Sequence, residues 1–187
     1  MTARSLFRLF VGIAFGLGPL VACIGGASAQ APATRESAVK AAFLYKFSAF
    51  VDWPAGTFQR RDQPLVIGVS GAEAVADDLE QLLAARRDAR PVLVRRVQEG
   101  ASTKGVHILF LGARREPRLR EAIDAAEGPV LIVTEQPGAM QLGSVLNFSS
   151  EAGRVRFSAS LISAEARNLK LSSRLLALAQ AVEGRPR

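Results

Sequence analysis

Three apolar runs constrain the fold of this chain more than any other feature of its sequence. The runs cover 64–71, 105–113 and 129–135, and nearly every position in them is apolar. A strand with one wet face alternates apolar and polar residues, whereas a continuous apolar run is typical of a strand buried on both faces. Helix-like segments separate the runs. The sequence therefore predicts an α/β domain, a mostly parallel sheet with helices on both faces.

The other elements follow from periodicity and from helix-ending residues. A further strand is predicted at 90–97, and 144–150 with 153–160 predict an antiparallel hairpin at the edge of the sheet, near the C-terminus. Thr34 is the expected N-cap of the first helix, and Pro54 is expected to end it. Apolar spacing predicts helical segments at 36–53, 73–87, 116–126, 163–169 and 173–184, with a break at 170–172. No internal repeat interrupts this pattern, so we expect one domain over 36–183.

The N-terminal region has the features of an export signal. Arg4 and Arg8 precede a short apolar run, and Ala27-Ser28-Ala29 provides a small-x-small end, so 1–29 is predicted to be a secretory signal peptide cleaved after Ala29. An alternative is that Leu20-Val21-Ala22-Cys23 is a lipobox, with Cys23 as a lipidated N-terminus. Residues 30–35 are expected to form a polar arm, and no later segment has the length of a membrane-spanning helix.

Cysteine content and charge exclude several classes. Cys23 is the only cysteine, so the predicted domain must fold on its core without disulfides. The formal charge is +7, which becomes +5 without Arg4 and Arg8 (7 − 2). Most of the cations are arginines scattered as pairs along the chain. Nucleic-acid binding would need them on one face among stacking aromatics, so we do not expect a nucleic-acid partner.

Candidate catalytic residues are few. Gly68-Val69-Ser70-Gly71-Ala72 resembles the start of a G-x-S-x-G nucleophile elbow, but the fifth position is not glycine. A serine nucleophile also needs a base, and the one histidine, His107, lies inside an apolar strand, where a core role is favoured. A metal site and a cofactor are not expected. The loops near 70–74 and 135–143 follow strands and are where a ligand would bind in an open α/β sheet.

The aromatic cluster of the first helix carries a family resemblance. Five of the chain's 12 aromatic residues fall between 43 and 53. The stretch 39–54 and the C-terminal stretch 155–179 resemble the opening and closing motifs of the YfiR family. The positions that match the opening motif are Val39, Lys40, Ala41, Phe43, Leu44, Tyr45, Phe47, Phe50, Trp53 and Pro54.

The resemblance extends over about 36–180 and implies a function. It implies a periplasmic regulator without catalytic residues that binds the periplasmic region of an inner-membrane diguanylate cyclase and represses it, lowering cyclic di-GMP and biofilm formation. It also implies a homodimer. Val106 stands where many relatives carry a cysteine, so disulfide-based redox control is not expected here. An alternative function on the same fold is a periplasmic sensor of a small ligand or peptide.

Two aromatic residues are candidates for partner binding. Val39, Phe43, Phe47 and Phe50 share one helical stripe and are expected in the core. Tyr45 points roughly opposite and Trp53 lies at the helix end, and amphipathic aromatics off the core face are favoured at interfaces. We therefore expect Tyr45 and Trp53 either to contribute to a dimer or partner surface or to pack under the loop at 55–63.

Overall fold

The computed structural model describes residues 31–60, 62–86 and 90–184. The predicted export signal, the cleavage site after Ala29 and Cys23 lie outside the described residues. The helices are α1 (Ala31–Phe47), α2 (Glu73–Ala84), α3 (Glu116–Asp124), α4 (Leu161–Ala166) and α5 (Ser173–Leu178). The strands are β1 (Val51–Asp52), β2 (Leu65–Ser70), β3 (Val92–Arg96), β4 (Ile108–Leu111), β5 (Leu131–Thr134), β6 (Leu146–Glu151), β7 (Arg154–Ser160), β8 (Lys170–Leu171) and β9 (Val182–Glu183).

Seven strands form one mostly parallel sheet in the order β3-β2-β4-β5-β6-β7-β9. The first five run parallel, β7 returns antiparallel to β6, and β9 pairs parallel with β7. The turn between β6 and β7 places Ala152 and Gly153 at φ 48° and 73°, the left-handed pair that a two-residue hairpin turn requires. This arrangement confirms the predicted α/β class and the C-terminal hairpin.

Alternation along the central strands divides the core between the two faces. In β4, Ile108 and Phe110 face the core shared with α1 and α2, whereas Leu109 and Leu111 face the core shared with α3. Successive side chains of a strand point to opposite faces, so a continuous apolar run supplies both cores at once. The uninterrupted apolar runs in the sequence are therefore explained by helices on both sides of the sheet.

Helix α1 is attached to the sheet through stacked phenylalanines. The Phe47 ring lies 5.2 Å from the Phe157 ring and 5.8 Å from the Phe148 ring, and Phe43 stacks on Phe47 at 5.8 Å. Phe110 continues the cluster from the centre of the sheet, 5.9 Å from Phe148. Such ring pairs add to the free energy gained from burying their apolar area. The cluster therefore fixes α1 across β6 and β7.

A partly buried ion pair fixes α1 at a second point. Lys40 Nζ lies 2.7 Å from a carboxylate oxygen of Glu135, just after β5, and 2.6 Å from Glu36 one turn away. The other Glu135 oxygen accepts the backbone N–H of Ala113 at 2.9 Å. Burial opposes the charge on Lys40, but the two carboxylates outweigh it and raise its pKa. The network ties α1 to the carboxyl ends of β4 and β5.

The first helix differs from its prediction at both ends. It ends at Phe47 and not at Trp53, because backbone hydrogen bonds from Ala49 and Phe50 close a turn that leads directly into β1. It also begins at Ala31, so the segment predicted as a polar arm is helical from residue 31 and Thr34 is not its N-cap. Val39 was expected in the core but is 40% exposed, whereas Ala41, Leu44 and Phe47 on the same helix are fully buried.

The C-terminal segment also differs from its prediction. The predicted break at 170–172 contains β8, which pairs antiparallel with β1. The predicted helix at 173–184 ends at Leu178, because the Gln180 N–H bonds to the Phe157 carbonyl oxygen at 2.8 Å and the chain continues as β9. The sequence had suggested that the second strand of the hairpin, β7, would be the edge strand of the sheet. Because β9 pairs with β7, it is not.

Replacement of Phe47 tests the role of the phenylalanine cluster. Phe47→Ala should lower the free energy of unfolding by about 3–5 kcal/mol, because it removes a fully buried ring that joins α1 to two strands. Urea unfolding of the purified protein measures this loss. Val39→Ala on the same helix is the matched control and should change stability by less than about 0.5 kcal/mol. Equal effects of the two substitutions would contradict the observed orientation of α1.

A candidate partner-binding cleft

The chain after α1 is held in a defined path that places Trp53. Strand β1 pairs with β8, and the Ser172 N–H bonds to the Phe50 carbonyl oxygen at 2.9 Å. Beyond Trp53, the backbone N–H and the hydroxyl of Thr57 both donate to the Pro54 carbonyl oxygen, at 3.2 and 2.9 Å. These bonds close a turn, so the loop that follows folds back over the amino ends of the sheet.

Phe58 is the centre of this loop. Its ring meets Trp53 edge-on with centroids 5.9 Å apart, and it stacks on His107 at 4.6 Å with an interplanar angle of 11°. The Arg90 guanidinium carbon lies 4.1 Å from the centroid of the same ring. Aromatic and cation–π contacts of this kind favour one arrangement of the rings. Trp53 therefore packs under the loop at 55–63, which is one of the two placements expected from the sequence.

Tyr45 lies on the same side of the molecule, at the last turn of α1. The Arg86 guanidinium carbon is 4.4 Å from the Tyr45 ring centroid, and Arg86 Nη1 lies 3.3 Å from the Tyr45 hydroxyl oxygen. Arg86 is exposed just beyond α2, so this contact connects the end of α1 with the end of α2 at the surface.

Tyr45 and Trp53 line one cleft, which has a volume of about 420 Å³. It opens at the amino ends of β2 and β3, and it combines aromatic rings with a cation and an exposed carboxylate. Its lining residues are Tyr45, Ser48, Val51, Asp52, Trp53, Phe58, Leu65, Arg90 and Val92. The two residues singled out from the sequence are thus brought together, and the cleft can accommodate an apolar side chain beside a charged one.

Sequence reasoning missed a ring and a cation that line the cleft and a second cation beside it. Phe58, Arg86 and Arg90 come from three separate segments, and only the tertiary fold places them beside Tyr45 and Trp53. Among the described residues, neither Arg86 nor Arg90 forms an ion pair with a carboxylate. The Trp53 Nε1–H is shielded from solvent and finds no acceptor in the described ranges. Two arginine side chains therefore border the cleft, and the exposed Asp52 carboxylate is also in its lining.

His107 is a core residue, as the sequence suggested. The residue is 5% exposed, and Nδ1 accepts the backbone N–H of Val66 at 3.0 Å. Nδ1 must therefore be unprotonated, which is the neutral imidazole. Burial lowers the pKa of His107, and the positive charge of Arg90 lowers it further. The group is thus held neutral between Val66, Phe58 and Arg90.

Ser70 and His107 are too far apart to act as nucleophile and base. In the pairing of β2 with β4, Ser70 lies opposite Leu111, whereas His107 precedes the start of β4. Four residues of strand separate the two levels, or roughly 13 Å. Ser70 is also 4% exposed. Across the described residues, no group of three or more His, Cys, Asp or Glu side chains could hold a metal ion.

The two loops expected to bind a ligand border different clefts. Ser70 and Gly71 lie at the carboxyl ends of the strands, in a cleft of about 510 Å³. The loop at 135–143 contains a 3-10 helix, Ala139–Leu142, whose residues line a cleft of about 640 Å³ with the end of α3 and with α4. The loops therefore do not form a shared site.

The fold and the cleft define the class of this protein as an α/β domain with an aromatic surface cleft suited to binding. A family model described as YfiR/HmsC-like matches residues 37–180. The chain belongs to the YfiR/HmsC-like family, which confirms the resemblance drawn from the opening and closing motifs.

Comparison with solved structures supports the fold. A conserved domain protein from Vibrio cholerae O1 biovar eltor superposes with a TM-score of 0.50 at 10% identity, over 79% of this chain. The chain spans 60% of that protein's length, so the likeness concerns the fold alone. No curated protein matches the sequence. No helix within the described ranges is long and apolar enough to cross a membrane.

The neutral state of His107 predicts a pH dependence of stability. The unfolded chain binds a proton at His107 near its ordinary pKa of 6.5, and the folded chain does so only at lower pH. Stability is therefore fully present above about pH 6.5 and falls as the pH drops through the folded pKa. NMR titration reports this directly, since the chain has one histidine. A folded-state pKa of 6.5 or higher would contradict the observed contacts, and His107→Phe should remove this part of the pH dependence.

Proposed function

We propose that this protein binds the periplasmic region of an inner-membrane diguanylate cyclase and represses it, lowering cyclic di-GMP and biofilm formation. The observation that carries the proposal is the family match over residues 37–180, which includes the motif that forms α1 and the chain after it. The protein acts in the periplasm in this proposal, after export directed by its first 29 residues.

Tyr45 and Trp53 are proposed to contribute to the partner-binding surface through the cleft that they line. The cleft has a volume of about 420 Å³. Its aromatic walls would take an apolar side chain, and interfaces are enriched in aromatic residues and arginine. Arg86 and Arg90 stack on the rings and lack carboxylate partners among the described residues, so they would favour acidic groups on the cyclase.

Capture of the partner tests the proposal. The tagged full chain is expected to capture, from detergent-solubilised envelopes of its own host, a membrane protein with a periplasmic region and a cytoplasmic cyclase domain. Deletion of the gene should raise cyclic di-GMP in the same host. A folded bait that captures no such protein, together with unchanged cyclic di-GMP, would overturn the repressor function.

Charge reversal at Arg86 tests whether the cleft is the binding surface. Trp53→Ala is expected to lower both stability and capture, because Trp53 packs on Phe58, so it cannot separate the two roles. Arg86→Glu should leave stability within about 0.5 kcal/mol, since Arg86 is exposed, yet reduce cyclase binding at least about tenfold by like-charge repulsion. The matched control is Arg120→Glu on α3, on the opposite face of the sheet. Unchanged binding by Arg86→Glu would place the interface elsewhere.

A homodimer is proposed through the open edge of the sheet. Among the described strands β3 pairs with β2 alone, and the β3 residue Leu93 is 51% exposed. An edge strand with free backbone groups and an exposed apolar side chain is a template for pairing with another chain. Two copies of β3 would extend the sheet across the dimer.

Leu93→Lys tests this edge. It should convert the dimer to a monomer in light scattering with little change in stability, because the side chain is half exposed and a lysine on an edge strand opposes pairing. Leu178→Lys is the matched control, since Leu178 is 65% exposed and lies on α5. A wild-type monomer, or a Leu93→Lys dimer as stable as the wild type, would exclude this interface.

A further inference from the structure

Two adjoining clefts lie at the carboxyl ends of β2 and β4, at the opposite end of the sheet from the cleft of Tyr45 and Trp53. The chain goes from β2 to β3 on one side and then returns to β4 on the other, so the strand order reverses between β2 and β4. In open α/β sheets, ligands bind in the crevice outside such a reversal. The deeper cleft has a volume of about 160 Å³ and the shallower one about 510 Å³. Both are lined by Ser70, Val97, Gln98, Glu99 and Arg114.

Arg114 is fixed across the two strand ends by backbone oxygens. Its Nε donates to the Gly112 carbonyl oxygen at 3.1 Å, and Nη2 donates to the Ser70 carbonyl oxygen at 2.8 Å. Its own backbone N–H donates to the Gln136 side-chain oxygen at 2.9 Å. These bonds hold the guanidinium in the crevice and leave Nη1 without an acceptor among the described residues. The side chain is therefore positioned, with one donor group still available.

Arg114 differs in charge environment from the other two arginines that line the clefts. Arg96 contacts three carboxylates, those of Glu73, Asp77 and Glu80. Arg118 contacts Glu121 at 3.0 Å and Glu99 at 3.6 Å. Arg114 is half-buried and forms no ion pair within the described ranges. A partly desolvated cation without a counter-charge favours an anion that can enter beside it.

Two glycines make this arrangement possible. A Cβ on Gly112 would lie 2.3 Å from the Gly71 carbonyl oxygen, so the two strand ends can approach this closely only with glycine at 112. Gly71 has φ +71°, and a Cβ there would lie 3.1 Å from Arg114 Nη2. The backbone atoms around the guanidinium are therefore closely packed, and they fix the position of the guanidinium without a ligand.

The walls of the deeper cleft indicate what kind of anion fits. The apolar part of the cleft lining comes from Val97, Leu109, Leu111, Ala122 and Ala125, and the polar residues Gln98, Thr103 and Arg118 line it beside Arg114. Glu99 and Glu121 also line the cleft, and because they share the single cation Arg118, one negative charge remains, which would repel a dianion such as a phosphate monoester more than a monoanion. A single carboxylate can pair with the free edge of the guanidinium while a short hydrocarbon tail fills the apolar end.

We propose that the crevice between the carboxyl ends of β2 and β4 binds a small organic monocarboxylate with a short apolar tail, its carboxylate on Arg114. The site goes beyond the proposed repressor function and does not depend on it. It uses the loop at 70–74, which the sequence had marked as a position for a ligand, but not the 3-10 helix at Ala139–Leu142.

Calorimetric titration of the purified full chain with hexanoate and benzoate tests the site. Saturable binding and a rise in melting temperature are expected for both. Hexan-1-ol, which is uncharged, and hexyl phosphate, which carries more negative charge than a carboxylate, should each bind at least about tenfold more weakly than hexanoate. Arg114→Gln should weaken hexanoate binding at least about tenfold, whereas Arg120→Gln on α3, which does not line the cleft, is the matched control and should change it by less than about threefold.

A second variant separates loss of binding from loss of fold. Arg114 also bonds to Ser70 and Gly112, so Arg114→Gln could act through stability, whereas Ala122→Leu leaves Arg114 intact and fills the apolar end of the cleft. It should abolish hexanoate binding in a protein with a native circular dichroism spectrum. The proposal is overturned if neither carboxylate binds at about 10 mM, if hexyl phosphate binds more tightly than hexanoate, or if Arg120→Gln weakens hexanoate binding as much as Arg114→Gln. Arg86→Glu should bind hexanoate normally, so the two proposals can fail separately.

Discussion

The contact of Phe47 with Phe148 and Phe157 determines where everything on α1 lies. The described domain has no cysteine, so α1 is held on the sheet by packing and by the partly buried pair of Lys40 with Glu135 rather than by a covalent bond. Once the phenylalanines fix the rotation of the helix, Lys40 reaches the carboxyl ends of the strands and Tyr45 reaches their amino ends. One helix thus orients groups at both ends of the sheet.

The two ends of the sheet have different chemistry. The amino ends carry the cleft of Tyr45, Trp53 and Phe58, which is open, aromatic and flanked by arginines stacked on rings. The carboxyl ends carry a narrower crevice in which Arg114 is held by backbone oxygens. Strand β2 passes from one to the other, with Leu65 lining the first and Ser70 lining the second. A macromolecular surface and a small-molecule site can therefore coexist without overlap.

The sequence pattern correctly predicted the central strands and the hairpin turn, because their structure depends on burial and on the residues next to them. The runs in β2, β4 and β5 were recognised because burial on both faces requires apolar residues at every position, and the turn of the hairpin because its glycine tolerates a left-handed backbone. The predicted ends of α1 and α5 were wrong because long-range strand pairing overrides helix propensity: Val51 pairs with Leu171, and Val182 with Ala159.

In the cleft, Tyr45 and Trp53 were identifiable from the sequence as amphipathic aromatics off the core stripe. Phe58, Arg86 and Arg90 were not, since only tertiary structure brings their segments together.

The pairing of β1 with β8 and of β7 with β9 also dictates an order of assembly. Val51 finds its partner at Leu171, so the chain immediately after α1 is completed by residues that are synthesised near the end. Contacts between such distant segments carry the largest loop-closure cost and form slowly. A growing chain therefore cannot finish the region around Trp53 until residues 170–183 have emerged, and a copy shortened before that point would present the cleft without its support.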